Sequence, residues 1–114
     1  MQINDAIINE ILVLTPMETR IEAATIYSFK GQLVDWINKG REKIVLDLTH
    51  VGFVDSSGLG AIISTLKSLG DGGELLLVNP QKSVMNMLKL TRMNRVLKIF
   101  NSIEEALSYF ENKD

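Results

Sequence analysis

Two short, almost unbroken apolar runs constrain this chain most: Lys43–Leu48 (KIVLDL) and Glu74–Val78 (ELLLV). A strand with one wet face alternates apolar and polar residues. A strand without that alternation is buried on both faces, as happens inside a parallel sheet covered by helices. Each run is followed by a turn and then by apolar residues at helical spacing. Leu59, Ile62, Ile63, Leu66 and Leu69 follow the first; Val84, Met87 and Leu88 follow the second. Strand, turn and helix in repetition mark an α/β domain whose crossovers return the chain to begin another parallel strand.

The remaining segments fit the same plan. Ile7–Leu14 reads as a strand that Asn9-Glu10 breaks into a hairpin with residues 2–8, and Pro16, lacking an N–H, ends it. Thr19 is expected to cap the first helix, with Glu22 completing a capping box. Ile26, Phe29, Leu33 and Ile37 share one face of that helix, and Asn38-Lys39-Gly40 stops it. Gly70-Asp71-Gly72-Gly73 ends the second helix. Gln81–Leu90 forms a third, and Val96–Phe100 is a short strand. Ser102 caps a last helix, with Glu104 and Glu105 in its first turn and Ala106, Leu107 and Phe110 facing inward. The expectation is a single α/β domain over residues 1–114, with one mixed, mostly parallel sheet of roughly four to five strands flanked by about four helices.

Composition removes several function classes. With 12 basic and 14 acidic residues the net charge is −2, and no basic patch for nucleic-acid phosphates is visible. There is no cysteine, which excludes disulfides and thiol-based redox or metal chemistry. The single histidine, His50, leaves little for a metal site or an imidazole-dependent enzyme. No apolar run approaches the ~20 residues that span a bilayer. Residues 1–5 lack the basic start and apolar core of a signal peptide, so a soluble cytoplasmic protein is expected.

The stretch Phe53-Val54-Asp55-Ser56-Ser57-Gly58-Leu59-Gly60 lies between strand and helix, at the carboxyl edge where such sheets meet ligands and partners. Read as a cap, Asp55, Ser56 or Ser57 accepts a bond from the first free helix N–H groups and contributes about 1 kcal/mol. Read as a site, the same helix N-terminus favours a phosphate. Glycine within a helix costs about 1 kcal/mol, so Gly58 and Gly60 need a reason. A partner approaching the backbone is one, and close helix–strand packing is another. A hydrolase elbow would need Gly-x-Ser-x-Gly, but Val54 stands two residues before Ser56. Asp47 and Asp55 lack a third ligand and read as turn and cap carboxylates. Gly70-Asp71-Gly72-Gly73 follows a helix and precedes a strand, the reverse of a phosphate loop. Met85, Met87 and Met93 suit core gaps. Met85, off the Val84–Leu88 stripe, is the candidate for an adaptable partner surface. Trp36 reads as a rim residue.

Val45-Leu46-Asp47-Leu48, followed by Val51-x-Phe53-Val54-Asp55-Ser56-Ser57-Gly58-Leu59-Gly60, resembles the core motif of STAS domains. Leu76-Leu77-Val78-Asn79-Pro80 and Ile103-Glu104-Glu105-Ala106-Leu107 are similar to the family as well. The resemblance implies a bacterial anti-sigma factor antagonist, a binding module rather than an enzyme, with no cofactor or metal of its own. Ser56, with Ser57 as the alternative, would be phosphorylated by a serine kinase of the histidine-kinase-like ATPase family that is also the anti-sigma factor. The unmodified protein would bind that kinase and free the sigma factor, and a metal-dependent serine phosphatase would reset the switch. ATP and magnesium would belong to the kinase. Partner contacts would fall on Asp55, Ser57, Gly58, Leu59, Met85 and Arg92, and the free protein would be a monomer without nucleic-acid or membrane-inserted partners. The other class implied is a constitutive STAS subunit of a transporter or stress-sensing complex, with no phosphate cycle. Two positions depart from the pattern. Pro16-Met17-Glu18-Thr19 stands where relatives carry a Gly-x-Leu-Asp-like run, which puts Thr19 in place of an Asp. Thr91-Arg92-Met93 stands in place of Thr-Gly-Leu, so Arg92 and Arg95 add positive charge.

Overall fold

Asn9 and Glu10 turn the first residues back along the chain. Both have positive φ, 51° and 70°, the geometry of the tight two-residue hairpin turn whose twist matches the strands it joins. The computed structural model describes residues 1–112. In chain order its elements are β1 (Ile3–Ile8), β2 (Ile11–Pro16), β3 (Arg20–Ile21), α1 (Ile26–Asn38), β4 (Lys43–Asp47), β5 (Phe53–Val54), α2 (Ser56–Leu69), β6 (Glu74–Val78), α3 (Lys82–Leu90), β7 (Lys98–Phe100) and α4 (Ile103–Glu111). A short 3-10 turn, Met93–Arg95, sits between α3 and β7.

The main sheet has the order β1-β2-β4-β6-β7. β1 and β2 are antiparallel, and β2, β4, β6 and β7 run parallel. Side chains alternate across the sheet with period two and build two cores. Leu12, Leu14, Ile44, Leu46, Leu75 and Leu77 pack with Phe29 and Leu33 of α1, Ile62 of α2, and Val84 and Leu88 of α3. Ile11, Val13, Val45, Leu76 and Val78 pack with Ala106 and Phe110 of α4. β4 and β6 are therefore covered on both faces, and this is why their sequences do not alternate. Among the described residues no helix is long and apolar enough to cross a membrane.

Thr19 does not cap the first helix. Arg20 and Ile21 pair in parallel with Phe53 and Val54 as a separate two-stranded ladder. The Thr19 carbonyl accepts from the amides of Gly52 (2.7 Å) and Phe53 (3.1 Å). Extended pairing is incompatible with a helix start, so α1 begins after Thr25, whose hydroxyl accepts from the Glu22 amide at 3.3 Å. The expected strand at Val96–Phe100 is shortened to β7, because the 3-10 turn precedes it and Val96 stays exposed. Ser102 does cap α4, accepting from the Glu105 amide at 3.1 Å.

Candidate functional site

β5 leads directly into α2, and one carboxylate organises the junction. Asp55 is extended (φ −88°, ψ −177°) and occupies the N-cap of α2. Its Oδ1 accepts from the Gly58 amide at 2.8 Å, and its Oδ2 accepts from the Ala23 amide at 3.1 Å. Its own amide donates to the Ile21 carbonyl at 3.2 Å. Asp55 thus caps the helix and ties it to the loop after β3. Ser56 and Ser57, the first residues of α2, are exposed and released from that task. Of the three capping candidates the carboxylate takes the role, because its two oxygens satisfy amides on both sides at once.

The two glycines separate in the same way. A Cβ on Gly58 would lie 2.4 Å from the Ile21 carbonyl oxygen and 2.9 Å from Ile21 Cγ2. A Cβ on Gly60 would meet nothing within 4 Å, and Gly60 is exposed. β3 pressing against the helix is by itself enough to require a glycine at position 58. Leu59, 7% exposed, points into the main core. Gly58 and Leu59 hold the site in place, and the outward positions of this turn are Ser56, Ser57 and Gly60.

Sequence reasoning missed Arg20 and Glu22. The Arg20 guanidinium lies 4.2 Å from the centroid of the Phe53 ring and pairs with the Glu22 carboxylate at 3.1 Å. Its hydrogen bond to Glu22, followed by the fields of Glu22 and Asp55, holds it above the ordinary arginine value, while desolvation pulls the other way. The carboxylate this loop contributes is that of Glu22, held by Arg20, and Thr19 contributes only its carbonyl. The sequence marks Glu22 only as part of a capping box that does not form, and no periodicity marks Arg20, because a two-residue ladder is too short to leave one.

The loop between β4 and β5 is braced from both ends. Asp47, buried, accepts from the Thr49 amide at 3.1 Å in a local turn. Gln81 Nε2 donates to the Thr49 carbonyl at 2.9 Å, and Ser83 Oγ donates to the Gly52 carbonyl at 2.7 Å. The amino end of α3 is thereby pinned to the site. Met85 follows half-buried against the core. Arg92 lies past the other end of α3, whose nine residues span about 13 Å, in the left-handed region with φ 61°. The structure gathers Asp55, Ser56, Ser57 and Gly58 with Arg20 and Glu22, and leaves Arg92 at the far end of α3. Among the described residues no group of three or more His, Asp or Glu side chains is placed to hold a metal ion.

The family model for the STAS domain matches residues 2–106 of this chain. A relative from Thermotoga maritima, described as a "Putative anti-sigma factor antagonist", is 37% identical over 109 residues, covering 94% of this chain and 96% of its own length. A crystal structure of a Thermotoga maritima protein of the same description superposes with a TM-score of 0.84 at 34% identity, over 93% of this chain and 92% of the other. The Bacillus cell fate determinant SpoIIAA in its phosphorylated form shares the fold at a TM-score of 0.72 and 17% identity, over 96% of this chain and 99% of its own.

Proposed function

This chain belongs to the STAS domain family, and from that membership we propose that it is an anti-sigma factor antagonist whose partner binding is switched by a phosphate on Ser56. One observation carries the reading. Asp55 does the capping and Gly58 and Leu59 do the packing, so the exposed Ser56 hydroxyl can be modified without dismantling the turn. A phosphate there adds a charge of about −1.5 to −2. The positive end of the α2 dipole tolerates it. The similar fold of SpoIIAA in a phosphorylated form supports that compatibility.

The partner in this reading is a serine kinase of the histidine-kinase-like ATPase family that also restrains the sigma factor. Ser56 Oγ attacks the γ-phosphorus of ATP held by the kinase. The bond to the β–γ bridging oxygen breaks, ADP leaves, and the hydroxyl proton passes to a base of the kinase. A metal-dependent phosphatase reverses the step by hydrolysis. The cycle runs in the cytoplasm, with the free antagonist a monomer. Asp55, Ser57 and Met85 border the contact face, with the open surface over Gly60 between them and the body of α2. Arg92 joins only if the partner also covers the far end of α3. A kinase packed on this face meets the phosphate with desolvation and like-charge repulsion. A hundredfold loss of affinity needs only about 2.7 kcal/mol.

The test is intact-mass and peptide analysis of the protein from its native cells. A species heavier by about 80 Da, localised to Ser56 and absent in Ser56→Ala, is expected. In binding assays Ser56→Ala holds the kinase and Ser56→Asp does not. A phosphate found on Ser57 would move the switch by one residue. A single unmodified species under all growth conditions would overturn the switch in favour of a constitutive subunit of a larger assembly.

A further inference from the structure

The α2 dipole tolerates a phosphate on Ser56, and the fold also sets a cation on the strand paired with the one that leads to Ser56. The β3–β5 ladder holds Arg20 opposite Phe53, three residues before Ser56. The Phe53 ring fixes the guanidinium 4.2 Å from its centroid, along the strand that runs into α2. The backbone on the far side of Arg20 is tied to the residue next to Ser56: Ile21 accepts from the Asp55 amide at 3.2 Å, and the Ala23 amide donates to Asp55 Oδ2 at 3.1 Å. The present partner of Arg20 is Glu22, in a surface pair whose arginine side chain is 54% accessible and whose half-buried glutamate is 29% accessible. Ion pairs at the surface contribute little to stability, so a stronger anion can displace one. A phosphate dianion carries more charge than a carboxylate and accepts two parallel N–H bonds from the guanidinium fork.

We propose that Arg20 receives the phosphate of Ser56, exchanging the Glu22 carboxylate for it and leaving Glu22 uncompensated on the same surface. The inference rests on the phosphate-switch reading and adds a second change to it. Phosphorylation places charge on Ser56 and also unmasks a carboxylate on the neighbouring loop, so a partner loses complementarity at two points. A guanidinium keeps its charge at any working pH, so Arg20 is a cation whether it faces Glu22 or the phosphate.

The full chain with phosphoserine installed at position 56 during translation provides the test, read by a phosphorus NMR titration. Free phosphoserine loses its second proton near pH 6. Arg20 is expected to lower that value by about half a unit or more. Arg20→Gln returns it toward the free value. Arg20→Lys keeps the charge but not the fork and recovers only part of the shift, and it keeps the test usable if Arg20→Gln loosens the loop. Glu22→Gln, which removes the competitor, lowers the value further, and more so with Arg20 present than in the Arg20→Gln background. Equal values for the parent and Arg20→Gln, or full recovery by Arg20→Lys, would overturn the proposal. This result is separable from the switch itself. An unmodified Ser56 in cells would sink the switch whatever the titration gave, and an unshifted phosphate would sink only the role of Arg20.

Discussion

Gly58 and Gly60 stand two positions apart on one helix and answer to different forces. Ile21 leaves no room for a Cβ at Gly58, so Gly58→Ala must push β3 away from α2. Overpacking of this kind costs about 1–3 kcal/mol. Gly60 faces open space, and Gly60→Ala recovers up to about 1 kcal/mol of helix propensity. Urea denaturation of the two variants should therefore shift the midpoint in opposite directions; a shift of the same sign would contradict this division. If the partner packs over Gly60, the more stable Gly60→Ala binds it less well. The division of labour between Asp55 and Ser56 is of the same kind. The carboxylate spends its oxygens on the Gly58 and Ala23 amides, and the hydroxyl beside it is left for chemistry.

Among the elements, the N-terminal hairpin shows a local preference overruled at modest cost. Its turn requires positive φ at both central residues, which Asn9 accepts readily and Glu10, at 70°, does not. Glu10→Gly supplies the Asn-Gly pair that this turn favours. It is expected to raise stability by about 1 kcal/mol, a gain of several degrees in melting temperature. An unchanged or lower melting temperature would mean that the Glu10 side chain holds the turn by other contacts. The β3–β5 ladder is the opposite case. It has only two residues a side, too few to show a period, yet it decides where α1 begins and where Arg20 stands.

At the scale of the molecule, the sheet places its most protected strands in the middle and the switch at its carboxyl rim. Amide hydrogen exchange should be slowest in β4 and β6, whose neighbours pair on both sides and whose faces are both covered. It should be faster in the edge strand β1 and the β3–β5 ladder. Protection of β3–β5 equal to that of β4 would show that the site is part of the rigid core and not a separable unit. The sequence alone was enough for the strand-turn-helix order, the parallel core strands, the hairpin at Asn9-Glu10 and the cap at Ser102. Each of these is written in a local periodicity or in the backbone needs of one or two residues. The Asp55-Ser56-Ser57 turn was legible too, as a place but not as an assignment of roles. Only the tertiary structure chose Asp55 as the cap, explained Gly58 by Ile21, moved the start of α1 past Thr19, and set Arg92 away from Ser56. It alone brought Arg20 and Glu22 to the switch. The contact between Ala23 and Asp55 joins residues 32 apart. A pairing of that range leaves no period in the sequence, because it is settled by which surfaces pack once the sheet has formed.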